Sequence, residues 1–350
     1  MGVNELEKRK LEILAVAYGL KQSELKNEEV QENYAVLFSA YRKMIMEDKD
    51  HFFVDTNRKK EICSSFDASM RALRTNKEGM REEFSQLKKG DRNSFLIFGQ
   101  PTILSTKEGM APSHCIGMLI YKNEKNDYSL YLIDKNKTHS PHSIVNKLII
   151  SKSKEKKLVN LLAENKVVTQ INTKNEKFLK QLYKLKSQRI MSIPITMSAQ
   201  TVENCYINEV EAAFKVSLFH CKHNMDSLTT SVTPKWNDLP DATLKMREKF
   251  KDALKVRSNE TFDKICDKLF LIYKERKEEM ARKVNNLGMK AVKYSEFGDK
   301  IREKAQKQTI EILTGKKSLE TLKNHIIGEE TNTFKDKMKE KVLNRTEKVK

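Results

Sequence analysis

The sequence predicts an α+β protein: a small, mainly antiparallel sheet with a helix carrying a cysteine, flanked by helical regions at the N- and C-terminal ends. Three observations predict it. Apolar residues recur at helical spacing through the first ninety residues and again beyond residue 241. Short apolar runs of strand type cluster between residues 94 and 196. Charged residues make up 33 % of the 350-residue chain against 38 % hydrophobic, as in a globular protein with a large solvated helical surface.

Taken in order, Leu6, Leu11, Leu14, Ala15 and Tyr18 form one helical stripe, and Tyr34, Leu37, Tyr41 and Met44 another. The turn cluster KKGDRN (88–93) ends this region, and the period changes after it. SFLIFGQ (94–100), HCIGMLIY (114–121), YSLYLID (128–134) and KLIIS (147–151) read as strands. Residues 153–166 and 175–188 read as basic amphipathic helices, IMSIPIT (190–196) as a further β run, and Cys205 to about Leu218 as a helix with Val210, Ala213, Phe214 and Leu218 on its buried stripe. After the proline-bearing TPKWNDLPD (233–241), Leu244, Met246, Phe250, Leu254, Ile265, Leu269 and Ile272 mark helices, with breaks at Gly288, Gly298, Gly315 and Gly328 and a polar, frayed end. Three regions follow: 1–93 helical, 94–232 an α+β core with a basic helical insertion at 152–189, and 233–350 a basic helical domain.

The net charge of +19 is uneven. It amounts to +3 over residues 1–150, +8 over 151–190, −2 over 191–240 and +10 over 241–350. Basic stretches outside a near-neutral core suit docking to an acidic surface, such as an anionic membrane through the C-terminal helices. No zinc finger, RNP-type strand or compact basic recognition helix signals nucleic acid. No run approaches the ~18 apolar residues of a membrane span, and the N-terminus lacks a signal-peptide core. Five scattered cysteines without a CxxC pair argue for a reducing compartment. HCKH (220–223) offers two imidazoles and a thiol but lacks a second ligand pair, so neither metal nor cofactor is expected.

SAQTVENCYINEVEAAF (198–214) places Cys205 where a loop becomes a helix. Unpaired N–H groups and the positive end of the dipole favour a thiolate there. A nucleophile needs a base. If residues 122–126 connect HCIGMLIY to YSLYLID, opposed residues sum to 248. That register pairs His114 with Asp134, Ile116 with Leu132, Met118 with Leu130 and Ile120 with Tyr128. The first pair would have Cβ atoms ~5 Å apart, and the carboxylate would fix the imidazole's tautomer. Gln200 would offer its amide to an oxyanion, with the Cys205 N–H as second donor. Alternation along the strand turns Cys115 to the face opposite His114. A thiol site and a structural cysteine beside solvated polar residues both remain open on these grounds.

The order His114, Asp134, Gln200, Cys205 resembles the adenain/Ulp-like (CE clan) cysteine peptidases, whose relatives include acetyltransferase effectors. SHCIGMLIY and QTVENCYINEVEAAF resemble the cysteine-protease-like domains of type IV secreted effectors from intracellular bacteria such as Legionella. The likeness spans about residues 94–222. Cys115 stands where the Ulp pattern has tryptophan, Tyr206 where it has glycine, and Gln200 lies one residue closer to the cysteine than usual. The resemblance implies a thiol hydrolase, a peptidase or isopeptidase acting on a host protein such as ubiquitin or a ubiquitin-like modifier. It also implies secretion without a cleaved signal peptide into the host cytoplasm. Two alternatives stand beside it. One is acyl (acetyl) transfer through a Cys205 thioester, with 151–190 holding a phosphate-bearing cofactor such as acetyl-CoA or an inositol phosphate. The other is a non-catalytic helical effector that binds acidic host partners.

Overall fold

The computed structural model describes residues 3–21, 30–54, 57–102, 105–106, 109–110, 114–137, 143–165, 174–197, 205–228, 234–256, 259–287 and 291–315. The fold is α+β. Four helices come first: α1 (Glu5–Ala17), α2 (Val30–Met46), α3 (Lys59–Arg74) and α4 (Lys77–Gln86). Next are β1 (Phe95–Thr102), the short pair β2 (Ser105–Thr106) and β3 (Gly109–Met110), then β4 (His114–Lys122), β5 (Tyr128–Ile133) and β6 (Val145–Ile150). Helices α5 (Glu155–Asn165) and α6 (Lys174–Leu185) lead to β7 (Met191–Ile193) and α7 (Cys205–Lys222). Helices α8 (Ala242–Leu254), α9 (Glu260–Leu287) and α10 (Ala291–Leu313) complete the described chain. Two compact units divide it, Met1–Phe270 and Leu271–Lys350. The first holds α1–α8, the sheet and the start of α9. In the second, Ile272, Tyr273, Ile301, Ala305 and Ile312 are buried.

The main sheet is antiparallel throughout, in the order β1-β4-β5-β6-β7. Every residue of β4, β5 and β6 is buried, as in a sheet covered on both faces. On one face, Phe84 of α4 packs on Phe98 and Tyr128. On the other, α7 lies against β4 and β1. Phe214 of α7 stacks on Tyr41 at 4.1 Å and meets Phe53 and Phe66, so α2, α3 and α7 share one aromatic core. The edge strand β1 is closed by α3: Ser65 and Ser69 accept from the N–H groups of Phe95 and Ile97 at 3.1 and 2.9 Å. A covered edge offers no template for strand addition.

The hairpin register differs from the sequence expectation. Met118 pairs with Leu132, Ile120 with Leu130 and Lys122 with Tyr128, so opposed residues sum to 250 rather than 248. The connection is 123–127: Asn123 Oδ1 accepts from the N–H groups of Lys125 and Asp127, and Asn126 takes φ +66°. A two-residue slip keeps every side chain on its face, because strand alternation has period two. It moves Asp134 past the end of β5, into a turn closed by Lys137 N–H to Asp134 O at 3.1 Å.

Helix α7 is buried on every side from Cys205 to His220, not along one stripe. Its approach to the sheet depends on Gly117, where an added Cβ would lie 2.3 Å from the Glu209 carbonyl oxygen and 3.2 Å from Ala213 Cβ. The near atom is helix backbone, so no side chain can swing aside. Gly117→Ala should therefore push α7 off the sheet and cost about 1–3 kcal/mol, measured by urea denaturation.

Candidate active site

His114 opens β4, Asp134 follows β5, and Cys205 is the first residue of α7. The fold brings these three ends together. His114 Nε2 lies 3.1 Å from Asp134 Oδ1, and both residues are buried. The imidazole also shares a hydrogen bond with Cys205. With Nε2 on the carboxylate, Nδ1 is the ring nitrogen left for sulfur. Asp134 Oδ1 also accepts from the Asn136 N–H at 3.1 Å, and the Asp134 N–H donates to Ile144 O at 2.9 Å. The carboxylate is thus fixed by its own turn rather than by direct cross-strand pairing.

Burial pushes the His114 pKa down, but the bonds to Asp134 and Cys205, with their charges, outweigh it and raise the pKa to about 10. That direction favours the protonated ring at neutral pH. The fold thus sets an imidazole and a sulfur side by side at the N-terminal end of a helix.

Gln200 lies outside the described residues, as does the whole segment 198–204. The Cys205 backbone N–H belongs to the first turn of α7.

Three further residues belong to the site. Glu209 sits one helical turn after Cys205, fully buried, and both of its oxygens accept from the Lys135 N–H at 3.2 Å. Burial and the neighbouring Asp134 raise its pKa against the pull of Lys135 and His114, which favours the neutral acid. Burial lowers the pKa of Lys135. The i, i+4 spacing puts Glu209 and Cys205 on one helix face. The other two are Cys115 and Tyr34. Cys115 was expected to point away from the site, yet it forms one buried cluster with Cys205 and Tyr206. The face of β4 that carries Cys115 and Gly117 is the face α7 covers, and His114 reaches the site from the strand's end. The Tyr34 hydroxyl stands 3.8 Å from Cys115 Sγ and donates to Tyr206 O at 3.3 Å, which ties α2 to the first turn of α7. Burial, with the charge of Cys205 adding to it, pushes the Cys115 thiol well up, so it is the inert sulfur of the pair.

The chain matches no known protein family, no curated protein and no solved structure.

One donor atom each from His114, Asp134 and Glu209 lie within 4.8 Å of one another, a spacing that a metal ion could bridge. These atoms already serve the His114–Asp134 bond and the Lys135 N–H, and a neutral Glu209 is a poor ligand. The cluster is better suited to holding protons. In HCKH, His220 Nδ1 accepts the Met225 N–H at 3.2 Å and its ring packs on Tyr121, while Cys221 donates to Arg92 O. Burial lowers the His220 pKa to about 4, so it is a neutral core imidazole.

Proposed function

We propose that the protein is a thiol hydrolase that cleaves peptide or isopeptide bonds of another protein. The observation that carries this reading is His114, buried and bonded to Asp134 at 3.1 Å while sharing a second bond with Cys205. Cys205 Sγ attacks the substrate carbonyl carbon, and the carbonyl electron pair moves onto oxygen, facing the Cys205 N–H. His114 donates its proton to the leaving amine as the C–N bond breaks, which leaves an acyl thioester. The neutral imidazole then takes a proton from water. The resulting hydroxide attacks the thioester, and the acid and the thiolate separate with His114 protonated again. Asp134 holds the ring in place and stabilises its charge at both steps.

The resemblance drawn from the sequence makes a ubiquitin-like modifier in a host cell the first substrate to test. Ubiquitin and ubiquitin-like proteins ending in a thiol-reactive warhead should modify the wild-type protein, adding the mass of one modifier at Cys205. Cys205→Ala should take up none. A panel of such probes that leaves Cys205 unmodified, while iodoacetamide reaches it, would remove the modifier as substrate. Peptide hydrolysis by folded Cys205→Ala at the wild-type rate would remove the hydrolase reading itself.

A further inference from the structure

Helices α1, α2, α3 and α8 line a cavity of about 600 Å³ that contains none of the thiol-site residues. Ala35, Ala40, Met70, Ala253 and Leu254 give it an apolar lining. Around them stand five cations, Arg9, Lys10, Lys43, Arg74 and Lys255, against a single lining acid, Glu32. Two of the five are neutralised: Arg9 pairs with Glu32 at 3.1 Å, and Lys255 with Asp267 at 2.6 Å. Among the described residues, Lys10, Lys43 and Arg74 take no ion pair. Lys10 Nζ does reach the Leu254 carbonyl at 3.4 Å.

These three cations come from three helices, each anchored by core residues: Leu11 and Leu14 on α1, Leu37 and Tyr41 on α2, Ala72 and Leu73 on α3. The folded chain therefore holds like charges close together. Burial first, and then the charge of Lys43, lowers the pKa of Lys10 against the opposing pull of Cys266, Glu7 and Asp263. An anion placed between the three cations would relieve their repulsion. A guanidinium offers a bidentate fork to phosphate, and ammonium groups add point charges. A singly charged ion would leave most of the excess uncompensated. The volume lies within the ~300–1,000 Å³ of small-molecule sites, and the apolar lining suits a ligand with a non-polar part.

We propose that this cavity binds an organic phosphate carrying at least two negative charges together with an apolar portion. A nucleotide and the headgroup of a phosphorylated lipid share this chemistry. The proposal does not depend on the thiol-hydrolase reading.

The test titrates the full chain with ADP, with inorganic pyrophosphate, and with phosphatidylcholine vesicles with or without phosphatidylinositol bisphosphate. It uses calorimetry and the shift in Tm that binding to the folded state produces. The wild type should bind ADP or the phosphoinositide vesicles saturably. Lys43→Gln/Arg74→Gln should weaken that binding at least tenfold. Lys156→Gln/Lys157→Gln, which removes the same charge from exposed positions on α5, should leave it unchanged. Both cavity cations sit in the last turns of their helices, where the dipole favours positive charge. Lys43→Gln alone is therefore the second variant should the double variant lose its fold. Binding of ADP assigns a soluble ligand, and binding of the vesicles alone a lipid headgroup. Pyrophosphate binding as tightly as ADP would overturn the apolar half of the proposal. Absence of saturable binding to any probe, or equal weakening in both double variants, would overturn it entirely.

Discussion

His114→Gln should slow alkylation of Cys205 by iodoacetamide at pH 6.5 by about 10²-fold, the low end of what a positioned acid–base group contributes. Asp134→Asn should slow it about tenfold. The reason for the order lies in who supplies charge to whom. The imidazole is bonded to the sulfur directly, whereas Asp134 acts through the ring. Asparagine at 134 still accepts from Asn136 but no longer favours the imidazolium. Both variants leave buried groups in altered pairing and should lose about 1–3 kcal/mol of stability. Rates are therefore read on protein whose Tm and circular dichroism show a folded state. Cys205 alkylated at the wild-type rate in His114→Gln, across pH 5 to 9, would break the link between the ring and the sulfur.

The same group sets a pH dependence of stability. The His114 pKa in the folded protein, about 10, lies above the ~6.5 of an unfolded histidine. The native state therefore holds the proton more tightly. Its contribution is complete below about pH 6.5 and is lost as pH rises towards 10. The difference in unfolding free energy between wild type and His114→Gln should narrow over that window. A difference that stays flat from pH 6 to 10 would mean that the ring carries no stabilised charge.

Strand identities were legible because apolar runs of four to eight residues, bounded by turn residues, leave few other readings. Face assignment was legible too: pairing by the sum 248 or by 250 puts Met118, Ile120, Leu130 and Leu132 on the same side. The register itself was not, because a repeat of two cannot tell one even slip from another. The deciding signal was Asn123, whose side chain closes an Asx turn over Lys125 and Asp127 and so places the connection one residue later than assumed. His114 and Asp134 meet all the same. Asp134 reaches the ring from a turn beyond the strand, a geometry that strand arithmetic does not contain. Glu209 was hidden for a different reason. A carboxylate on a helix normally marks the solvated face, and only the burial of α7 on all sides overturns that expectation.

That burial supplies the second large effect. Glu211 sends one oxygen to Lys215 Nζ at 2.7 Å and the other to Arg247 at 2.8 Å, and all three side chains are buried. Burial pushes the Glu211 carboxyl up, but Arg247 and Lys215 overcome it and hold the pKa below the ordinary value. Arg247 also donates to Ala17 O and to Asn208 Oδ1, and its guanidinium lies over the Tyr18 ring. Through Arg247, α8 is fastened to α1 and, by way of the Glu211 carboxylate, to the helix that presents Cys205. Glu211→Ala removes the anion and leaves two cations without it in a space that excludes water, so it should cost about 3–5 kcal/mol. The intact triad need not stabilise the fold by a similar amount, because desolvating three charges offsets most of their attraction. Replacing all three residues together (Glu211→Met, Lys215→Leu, Arg247→Met) should therefore restore much of the stability that Glu211→Ala removes. Chemical denaturation of both variants separates the cost of an orphaned charge from the worth of the network. A loss under about 1 kcal/mol for Glu211→Ala would place Lys215 and Arg247 in contact with water, and α7 would then be less enclosed than its neighbours require.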